Sequence, residues 1–554
     1  MISTFNKHQA EMFDILNKEK LYQFRVPTGV GKGYVMIAHI LQSIIETDQS
    51  LFAIASHRLS LNNQHLRDLI DKFIDFNLIG KVKFLTVGSQ VLSIDKLFDD
   101  DKKLFIKFQS GLFDSNIGKP MRDKLSQNNI FQDNMIKDRI TKILNKNKKE
   151  GFKTIIITTY NSLDKLSGVD IDVTYLDEAH ILASNKEESA FRNSFEVLKS
   201  KKRFFFTATP KDMQDEILKE DGSSDIFLMN NKEIFGNSYE VSFVESVKSG
   251  YITEPIIHLA YPKELTDGTN YDSIENKSKF VKETFESHEK WLKESSSMPD
   301  EIEAKMLVRC ESVPAMWEMY FKLSKIISDD VTICAGASYN NFSGEANHVI
   351  GGDWEKNRDE FVKKIQRVPS NKKMIILNFD IFSEGLNVSG ITGVMFLQGQ
   401  MPSIPKVVQN VGRSTRLHPI DRDKLRIGEI SVGGEGWVKP NCAVIIPYWD
   451  SKSEFTKNLL ADIIRKLRGK LDFSPKLVLS VGEDFGKSEG KNDLDGLNNL
   501  NKKDKKWKLI EEINHEIERL ELNEQAIKNQ KYLDSLSNEE RISHILTKEM
   551  GVKL

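Results

Sequence analysis

Three short segments of the sequence combine residue types that bind or act on phosphate groups. The first is PTGVGKG at residues 27–33, which lies between an apolar run and the apolar stretch Tyr34 to Ile45. Converging backbone N–H groups, a helix N-terminus and a lysine bind a phosphate chain, and glycines allow its close approach. The usual motif has Ser or Thr, whose hydroxyl coordinates Mg²⁺, where this chain has Gly33. Taken alone, the segment is more typical of an ordinary turn between a strand and a helix.

The other two segments carry charges that suit phosphate chemistry. Asp177 and Glu178 follow the apolar run Val173 to Leu176, where an aspartate can hold phosphate-bound Mg²⁺ and a glutamate can activate water. Such a pair is also a common helix N-cap. Arg413 and Arg416, in QNVGRSTR, are spaced to share a helix face and to bind one anion together. Basic helices also commonly face solvent.

The elements that must position these residues follow an alternating αβ pattern. From residue 20 to 260, short runs rich in Ile, Val and Phe alternate with segments of helical periodicity, which predicts a doubly wound parallel sheet. A second series of the same type begins near Ile256. The predicted strands of the first series are Leu21 to Val26, Leu51 to Ala55, Lys83 to Thr86, Thr154 to Thr158, Val173 to Leu176 and Arg203 to Thr207. Those of the second series include Lys305 to Cys310, Val331 to Ala335, Met374 to Asn378, Val394 to Gln398 and Ala443 to Pro447.

Outside these series the pattern changes. Residues from about 91 to 150 are rich in Lys, Asp and Asn, which favours an insertion of helices and loops. Past Pro447 we expect no more strands, a linker at about 484–502, and an amphipathic helix from Trp507 to Leu520. The predicted domains are residues 1–248, residues 249–450 and a mainly helical extension at 451–554.

The composition is that of a multidomain globular protein. The chain has 554 residues, of which 39% are hydrophobic and 29% charged, and its formal net charge is -2. This balance neither indicates nor excludes a nucleic-acid partner, because positive charge can be confined to one channel. The 3 cysteines lie far apart without metal-ligand spacing. With no leader-like start and no apolar run of about 18 residues, we expect a soluble, cytoplasmic protein without a membrane partner.

Seven segments, in their order along the chain, resemble the motifs of superfamily 2 helicases. They are PTGVGKG, ASHR, TTYNSL, DEAH, TATP, EGLN and QNVGRSTR, and they cover roughly residues 5 to 450. The likeness is greatest to the branch that includes the type III restriction enzyme motor subunits. It implies an α/β fold of two tandem RecA-like domains with parallel sheets, which bind ATP and Mg²⁺ in the cleft between them and act on nucleic acid.

The resemblance implies specific roles at the nucleotide. Lys32 would contact the β- and γ-phosphates, Asp177 would hold Mg²⁺ through water, and Glu178, also close to the metal, would act as general base. Gln9 would read the adenine edge. The other residues implied at the nucleotide are Pro27, Thr28, Gly29, Val30, Gly31, Gly33, Glu384 and Gly385.

Further residues would complete and couple the site. Gln409, Arg413 and Arg416 would reach the nucleotide from the second domain, the arginines stabilising transition-state charge. In the EGLN segment, Asn387 stands where the family usually has Asp. The residues implied to couple ATP to the nucleic acid are His180, Thr207, Ala208 and Thr209, and those implied to contact the nucleic-acid backbone are Ser56, His57, Arg58, Thr158, Thr159 and Tyr160.

Three functional hypotheses follow from these residues. One is an ATP-driven translocase or helicase that remodels nucleic acid, with DNA preferred because the nearest branch acts on it, and RNA open. Another, motivated by Gly33, is a clamp whose affinity for nucleic acid depends on bound nucleotide without sustained hydrolysis. The last is the motor subunit of a restriction or defence complex whose nuclease or methylase is a separate protein.

Overall fold

The computed structural model describes most of the first 447 residues and one later strand. The described residues are 5–57, 59–88, 103–108, 130–134, 136–183, 195–210, 228–261, 273–337, 348–356, 358–369, 371–379, 388, 390–397, 410–447 and 476–481.

A first sheet is formed by eight strands. They are β1 Leu21–Arg25, β2 Leu51–Ser56, β3 Val82–Val87, β4 Phe131–Asn134, β5 Lys153–Thr159, β6 Asp170–Asp177, β7 Lys199–Thr207 and β8 Asn237–Glu240. The helices that accompany them are α1 Lys7–Lys18, α2 Lys32–Glu46, α3 Leu59–Asp75, α4 Lys137–Lys149, α5 Lys232–Phe235 and α6 Phe243–Lys248. The strand order is β4-β3-β5-β2-β6-β7-β1-β8, and all these neighbours pair in parallel.

Apolar residues cover both faces of this sheet. Along β2, Phe52 and Ile54 pack into one buried cluster with residues of α1, α2 and α3, whereas Ala53 and Ala55 pack into a second cluster with residues of α4. Successive side chains of a strand point to opposite faces, so a continuous apolar run such as LFAIA fills two cores at once. This is why the strands of the sheet read as unbroken apolar runs in the sequence.

One edge of the first sheet collects the segments that carry chemistry. Strands β1, β7, β6, β2 and β5 are consecutive neighbours and run in the same direction. Their carboxyl ends therefore meet at one edge, with neighbouring strands about 4.8 Å apart. The loop at residues 27–33 follows β1, and the acidic pair lies at the end of β6. Across this edge, β6 lies between the phosphate-type loop and the ends of β2 and β5.

A second sheet is formed by nine strands. They are β9 Glu254–Tyr261, β10 Lys305–Arg309, β11 Thr332–Ala337, β12 His348–Ile350, β13 Asp353–Glu355, β14 Met374–Phe379, β15 Gly393–Phe396, β16 Asn441–Pro447 and β17 Lys476–Val481. Its helices are α7 Ile274–Ser295, α8 Val313–Leu323, α9 Arg358–Arg367 and α10 Pro419–Ile427. The order is β13-β12-β11-β14-β10-β15-β16-β9-β17.

The predicted α/β class is confirmed, with strands at all the predicted positions. Three details differ from the expectation. The expectation of no strand past Pro447 is wrong, because β17 (Lys476–Val481) pairs in parallel with β9 at the sheet edge. The expected insertion of helices and loops also contributes a strand, β4, to the first sheet. The second sheet is mixed, because β12 and β13 form antiparallel pairs beside β11.

None of the helices in the described part of the chain is long and apolar enough to span a bilayer.

Candidate nucleotide and nucleic-acid site

The loop between β1 and α2 has the backbone shape of a phosphate cradle. Gly29 and Gly31 have φ angles of 96° and 95°, in the left-handed region that favours glycine. Gly31 is the N-cap of α2, and the amides of Tyr34 and Val35 donate to its carbonyl. A left-handed turn at a helix N-terminus directs backbone N–H groups outward, where they can bind an anion.

Lys32 starts α2 and folds back over the loop. Its Nζ donates hydrogen bonds to the carbonyls of Val26 at 2.7 Å and Pro27 at 3.3 Å. Burial lowers the pKa of Lys32 below its ordinary value, although the nearby carboxylates of Glu178 and Asp177 oppose this shift. The loop therefore holds a buried cation beside two carboxylates, an arrangement that can receive a phosphate chain and its metal ion.

The acidic pair lies at the carboxyl end of β6. The backbone amide of Glu178 donates to Oδ1 of Asp177 at 3.1 Å, and the hydroxyl of Tyr160 donates to the carbonyl of Asp177 at 2.5 Å. Glu178 has φ 54° and ψ 45°, a left-handed conformation that is uncommon for any residue with a Cβ. Such strain concentrates at functional sites, where the surroundings hold a side chain in one direction.

A histidine that the sequence motifs did not indicate contacts the acidic pair. Nε2 of His65, on α3, lies 3.0 Å from Oδ2 of Asp177, and both residues are buried. Burial alone would raise the pKa of Asp177, but the hydrogen bond and charge of His65 bring it below its ordinary value. Burial likewise opposes a charge on His65, but Asp177 raises the pKa of the imidazole. Both shifts favour an ion pair.

The segment predicted to couple the two sites joins the acidic pair to β7. Nδ1 of His180 lies 3.0 Å from Oγ1 of Thr207 and 3.4 Å from Oε2 of Glu178. The same Thr207 hydroxyl accepts a hydrogen bond from the amide of Thr209 at 3.1 Å. Ala208 lies between these two threonines. The TAT segment is thus connected through one histidine to the predicted general base.

The arginine segment of the second sheet packs directly on the phosphate-type loop. Residues 410–414 form a helical turn. A Cβ placed on Gly412 would lie 2.1 Å from Oγ1 of Thr28, so only a residue without a side chain allows this approach. A Cβ on Gly29 would lie 3.1 Å from Ile252 and 3.9 Å from Cγ of Arg416. The two segments predicted to face each other across a cleft are therefore in contact.

Arg413 and Arg416 lie in a buried environment beside this contact. Arg413 is buried, and burial lowers the pKa of Arg416 to about 10. The positive charge of Arg416 in turn contributes to the lowered pKa of Lys32. Lys32 and Arg416 are thus two cations close to the same loop, an arrangement that can receive a multiply charged phosphate group.

A second residue that the motifs did not indicate supports the arginine segment. Nζ of Lys439 is buried and donates to the carbonyls of Ser414 at 2.8 Å, Ile391 at 3.2 Å and Arg416. Asp421 accepts from the backbone amide of Lys439 at 2.8 Å. Burial lowers the pKa of Lys439 to about 8. The lysine thus binds the carbonyls at the end of the turn that carries both arginines.

Gln9 lies beside the phosphate-type loop. Its Nε2 donates to the carbonyl of Val30 at 3.2 Å, and its Oε1 accepts from the amide of Asn6, where Gln9 and Asn6 form a capping box on α1. A Cβ on Gly31 would lie 2.3 Å from Nε2 of Gln9. Its role in adenine recognition stays a prediction, since both ends of the amide have partners here.

The residues predicted to contact nucleic acid lie at the carboxyl ends of β2 and β5, but not all of them are accessible. Ser56, Thr158 and Tyr160 are buried, and Oγ1 of Thr158 donates to the carbonyl of Val87 at 2.9 Å. His57 and Thr159 are half-buried. The side chains of His57 and Thr159 can therefore contact nucleic acid directly. The three buried side chains can only position the protein backbone. Four predicted site residues, Arg58, Glu384, Gly385 and Gln409, lie outside the described residues.

The residues present fit ATP with Mg²⁺. Within the described part of the chain, no group of three or more His, Cys, Asp or Glu side chains is arranged to hold a metal ion by itself. Mg²⁺ at nucleotides usually keeps phosphate oxygens and water among its ligands, so the two carboxylates of Asp177 and Glu178 are a donor set that suits such an ion. A side chain on Gly33 would meet nothing within 4 Å, so the loop leaves open the position of the usual hydroxyl.

Two α/β domains, with a glycine-rich loop on the first sheet and an arginine segment of the second packed against it, are the fold and site that the chain presents. Residues 2–212 match the family model described as Type III restriction enzyme, res subunit, which confirms the predicted resemblance. No curated protein matches the sequence.

Solved structures with similar folds are larger or distantly related proteins. The ATP-dependent Type ISP restriction-modification enzyme LlaBIII bound to DNA is 13% identical with a TM-score of 0.51, covering 87% of this chain and 31% of that chain. A nuclease-deletion mutant of the Type ISP enzyme LlaGI with a DNA substrate mimic is 13% identical, TM-score 0.48, covering 86% and 30%. Mss116p bound to ssRNA and AMP-PNP is 13% identical, TM-score 0.46, covering 88% and 77%. The chain thus spans about 30% of the length of the two Type ISP enzymes.

Proposed function

We propose that this protein is an ATP-dependent nucleic-acid translocase that hydrolyses ATP between its two RecA-like domains. The observation that carries the proposal is the contact between the arginine turn and the phosphate-type loop. Gly412 meets Thr28 there, and Arg416 lies close enough to Lys32 to affect its pKa. Guanidinium groups supplied by a second domain make hydrolysis depend on the relative position of the domains, which is the basis of a motor.

Each residue of the site has a role in this mechanism. On nucleotide binding, Nζ of Lys32 exchanges the carbonyls of Val26 and Pro27 for phosphate oxygens. Glu178, held in its strained conformation, orients the attacking water and accepts its proton. Arg413 and Arg416 stabilise the charge that develops on the transferred phosphoryl group. Asp177 would hold Mg²⁺, which would supply charge neutralisation at the phosphates.

Coupling to the nucleic acid runs through the shared edge of the first sheet. Nδ1 of His180 lies within hydrogen-bond distance of the Thr207 hydroxyl and 3.4 Å from Oε2 of Glu178. After hydrolysis the second domain loses the phosphate that its arginines bind, so the domains separate and the grip on the phosphate backbone changes. Alternation between the two states yields stepping along the strand.

DNA is the substrate that we propose, with RNA as the alternative. The preference is supported by the resemblance of residues 2–212 to the res subunit of type III restriction enzymes. LlaBIII, with a similar fold, was solved bound to DNA. A related possibility is that the chain is the motor of a restriction or defence complex. In that case a separate protein supplies the nuclease or methylase.

A second candidate function is a nucleotide-gated clamp, and Gly33 is the observation that favours it. Without the hydroxyl of the usual Ser or Thr, Mg²⁺ loses one ligand from the loop and hydrolysis slows. The protein would then hold nucleic acid more or less tightly according to the nucleotide bound, without continuous turnover. Both candidates use the same nucleotide site and differ in the rate of hydrolysis.

A phosphate-release assay separates these candidates. We expect hydrolysis to rise when single-stranded DNA, duplex DNA, forked DNA or RNA is added, and the order of stimulation ranks the substrates. Glu178→Gln should bind nucleotide without hydrolysing it, and Lys32→Ala should lose both nucleotide binding and hydrolysis. If no nucleic acid raises the wild-type rate above that of Lys32→Ala, the translocase proposal is wrong. Retained nucleotide-dependent binding of nucleic acid would then favour the clamp.

A further inference from the structure

Helix α3 carries two buried polar side chains one turn apart, each bonded to a different part of the sheet edge. Asn62 joins the ends of β2 and β5, because its Oδ1 accepts from Oγ of Ser56 at 2.9 Å and its Nδ2 donates to the carbonyl of Thr158 at 2.7 Å. Three residues later, Nε2 of His65 lies 3.0 Å from Oδ2 of Asp177. Residues three apart lie on the same helix face.

The ends of β2 and β5 are the segments predicted to contact nucleic acid, whereas Asp177 is predicted to hold the nucleotide's metal ion. One rigid helix therefore spans both sites. Asp177 is also held by the residue that follows β5, because the hydroxyl of Tyr160 donates to the Asp177 carbonyl at 2.5 Å. Gly33 stands where the usual motif has a hydroxyl, so the phosphate-type loop supplies no side-chain oxygen at that position, whereas His65 contacts Asp177 from α3.

We propose that His65 is a positioning residue: it orients Asp177 for Mg²⁺–nucleotide binding, and α3 transmits nucleic-acid occupancy from Asn62 to that carboxylate. The inference rests on the proposed function of the same site. A nucleic-acid strand bound at the ends of β2 and β5 shifts Asn62, and helix α3 moves His65 with it. Coupling of this kind is reciprocal, so nucleotide binding with Mg²⁺ also changes the affinity for nucleic acid.

Two substitutions of different chemistry test the role of His65. His65→Gln keeps an N–H donor near the position of Nε2, whereas His65→Leu keeps the volume and removes the donor. The measurement is the affinity of the full-length protein for a fluorescent non-hydrolysable ATP analogue, in EDTA and in excess MgCl₂. We expect Mg²⁺ to strengthen wild-type binding, and His65→Leu to lose roughly tenfold or more of that gain. The Mg²⁺-dependent gain in affinity of His65→Gln should stay within about threefold of the wild-type gain. The affinity for the analogue in EDTA should be equal in all three proteins.

Asn62→Leu tests the transmission. It should keep the Mg²⁺-dependent gain in analogue binding but lose the change in analogue affinity that a single-stranded oligonucleotide, poly-dT or poly-U, causes in the wild type. An Asn62→Leu protein that keeps the full oligonucleotide effect overturns the transmission through α3. Thermal unfolding followed by circular dichroism shows whether each variant is folded.

The outcomes separate this inference from the proposed function. If wild-type protein binds no analogue with Mg²⁺, both fail. If the wild type gains affinity with Mg²⁺ and His65→Leu gains equally, the nucleotide site stands and the role of His65 is refuted. Should His65→Leu not fold, His65→Asn, whose donor stops short of the Nε2 position, is compared with His65→Gln. Equal Mg²⁺ dependence in those two variants also overturns the proposal.

Discussion

Gly33 provides the sharpest test of the nucleotide site, because its replacement by serine restores the hydroxyl that the loop lacks. Gly33 is the second residue of α2, and its φ lies outside the left-handed region. A Cβ at this position meets nothing within 4 Å. Gly33→Ser therefore adds a side chain at no steric cost. Gly33→Ala is the matched control, because it adds the same Cβ without a hydroxyl.

The expected size of the effect follows from the chemistry of one added ligand. Replacing a helical glycine stabilises the helix by up to about 0.5–1 kcal/mol, and this applies to both variants. A polar contact to a charged group is worth about 1.5–3 kcal/mol, and about 1.4 kcal/mol corresponds to a tenfold rate. We therefore expect Gly33→Ser to exceed Gly33→Ala by about tenfold or more in hydrolysis at limiting Mg²⁺.

The assay is nucleic-acid-stimulated phosphate release across a MgCl₂ titration, with thermal unfolding to compare stability. A lower Mg²⁺ requirement for Gly33→Ser alone would agree with Asp177 and residue 33 sharing one metal site. Equal rates for the serine and alanine variants would refute this account of the loop. If the wild type is inactive and Gly33→Ser hydrolyses ATP, the natural protein functions as the clamp.

Three further predictions concern closure of the domains, the arginine segment and acid stability. Gly412→Val should lower the rate of ATP hydrolysis by about a hundredfold, because the added side chain displaces the arginine turn from Thr28. The double variant Gly412→Val/Thr28→Ala should recover part of the lost rate. Both rates are measured by phosphate release. Lys439→Met should lower kcat by roughly tenfold while nucleotide affinity changes little, because the lysine supports the arginine turn and not the loop; an equal loss of affinity would contradict this. Burial would raise the pKa of Asp172, but its hydrogen bonds to Lys201 and to two backbone amides lower the pKa below its ordinary value. The ionised carboxylate therefore stabilises the fold fully at pH values above its unfolded pKa of about 3.9. This stabilisation is lost as the pH falls through the lower pKa of the folded state. Asp172→Asn should therefore unfold at a lower urea concentration than wild type at pH about 7, and the gap should shrink below pH about 4; a gap independent of pH would refute the charge argument.

The strands that form the centre of both sheets could be predicted from the sequence. Runs such as Leu51–Ser56 and Met374–Phe379 are apolar at all but one position because both of their faces are buried, and this burial is visible as composition. β4 and β17, at the edges of their sheets, were not predicted. The short β4 (Phe131–Asn134) is mostly polar, and β17 (Lys476–Val481) follows a long stretch without αβ alternation, so their pairing depends on the neighbouring strand that they meet.

The same division applies to the site. Lys32 and the acidic pair were predictable because phosphate chemistry demands particular residue types at fixed spacing after a strand. His65 and Lys439 were not, because a lone histidine on a helix or a lysine in a loop acquires its role only from the atoms that the fold brings near it. The burial of Tyr160, predicted to contact nucleic acid, was likewise decided by packing. Local order along the chain determined which groups were predicted to bind phosphate. Contacts between distant segments, made only when the sheet and helices assemble, decided what holds those groups in place.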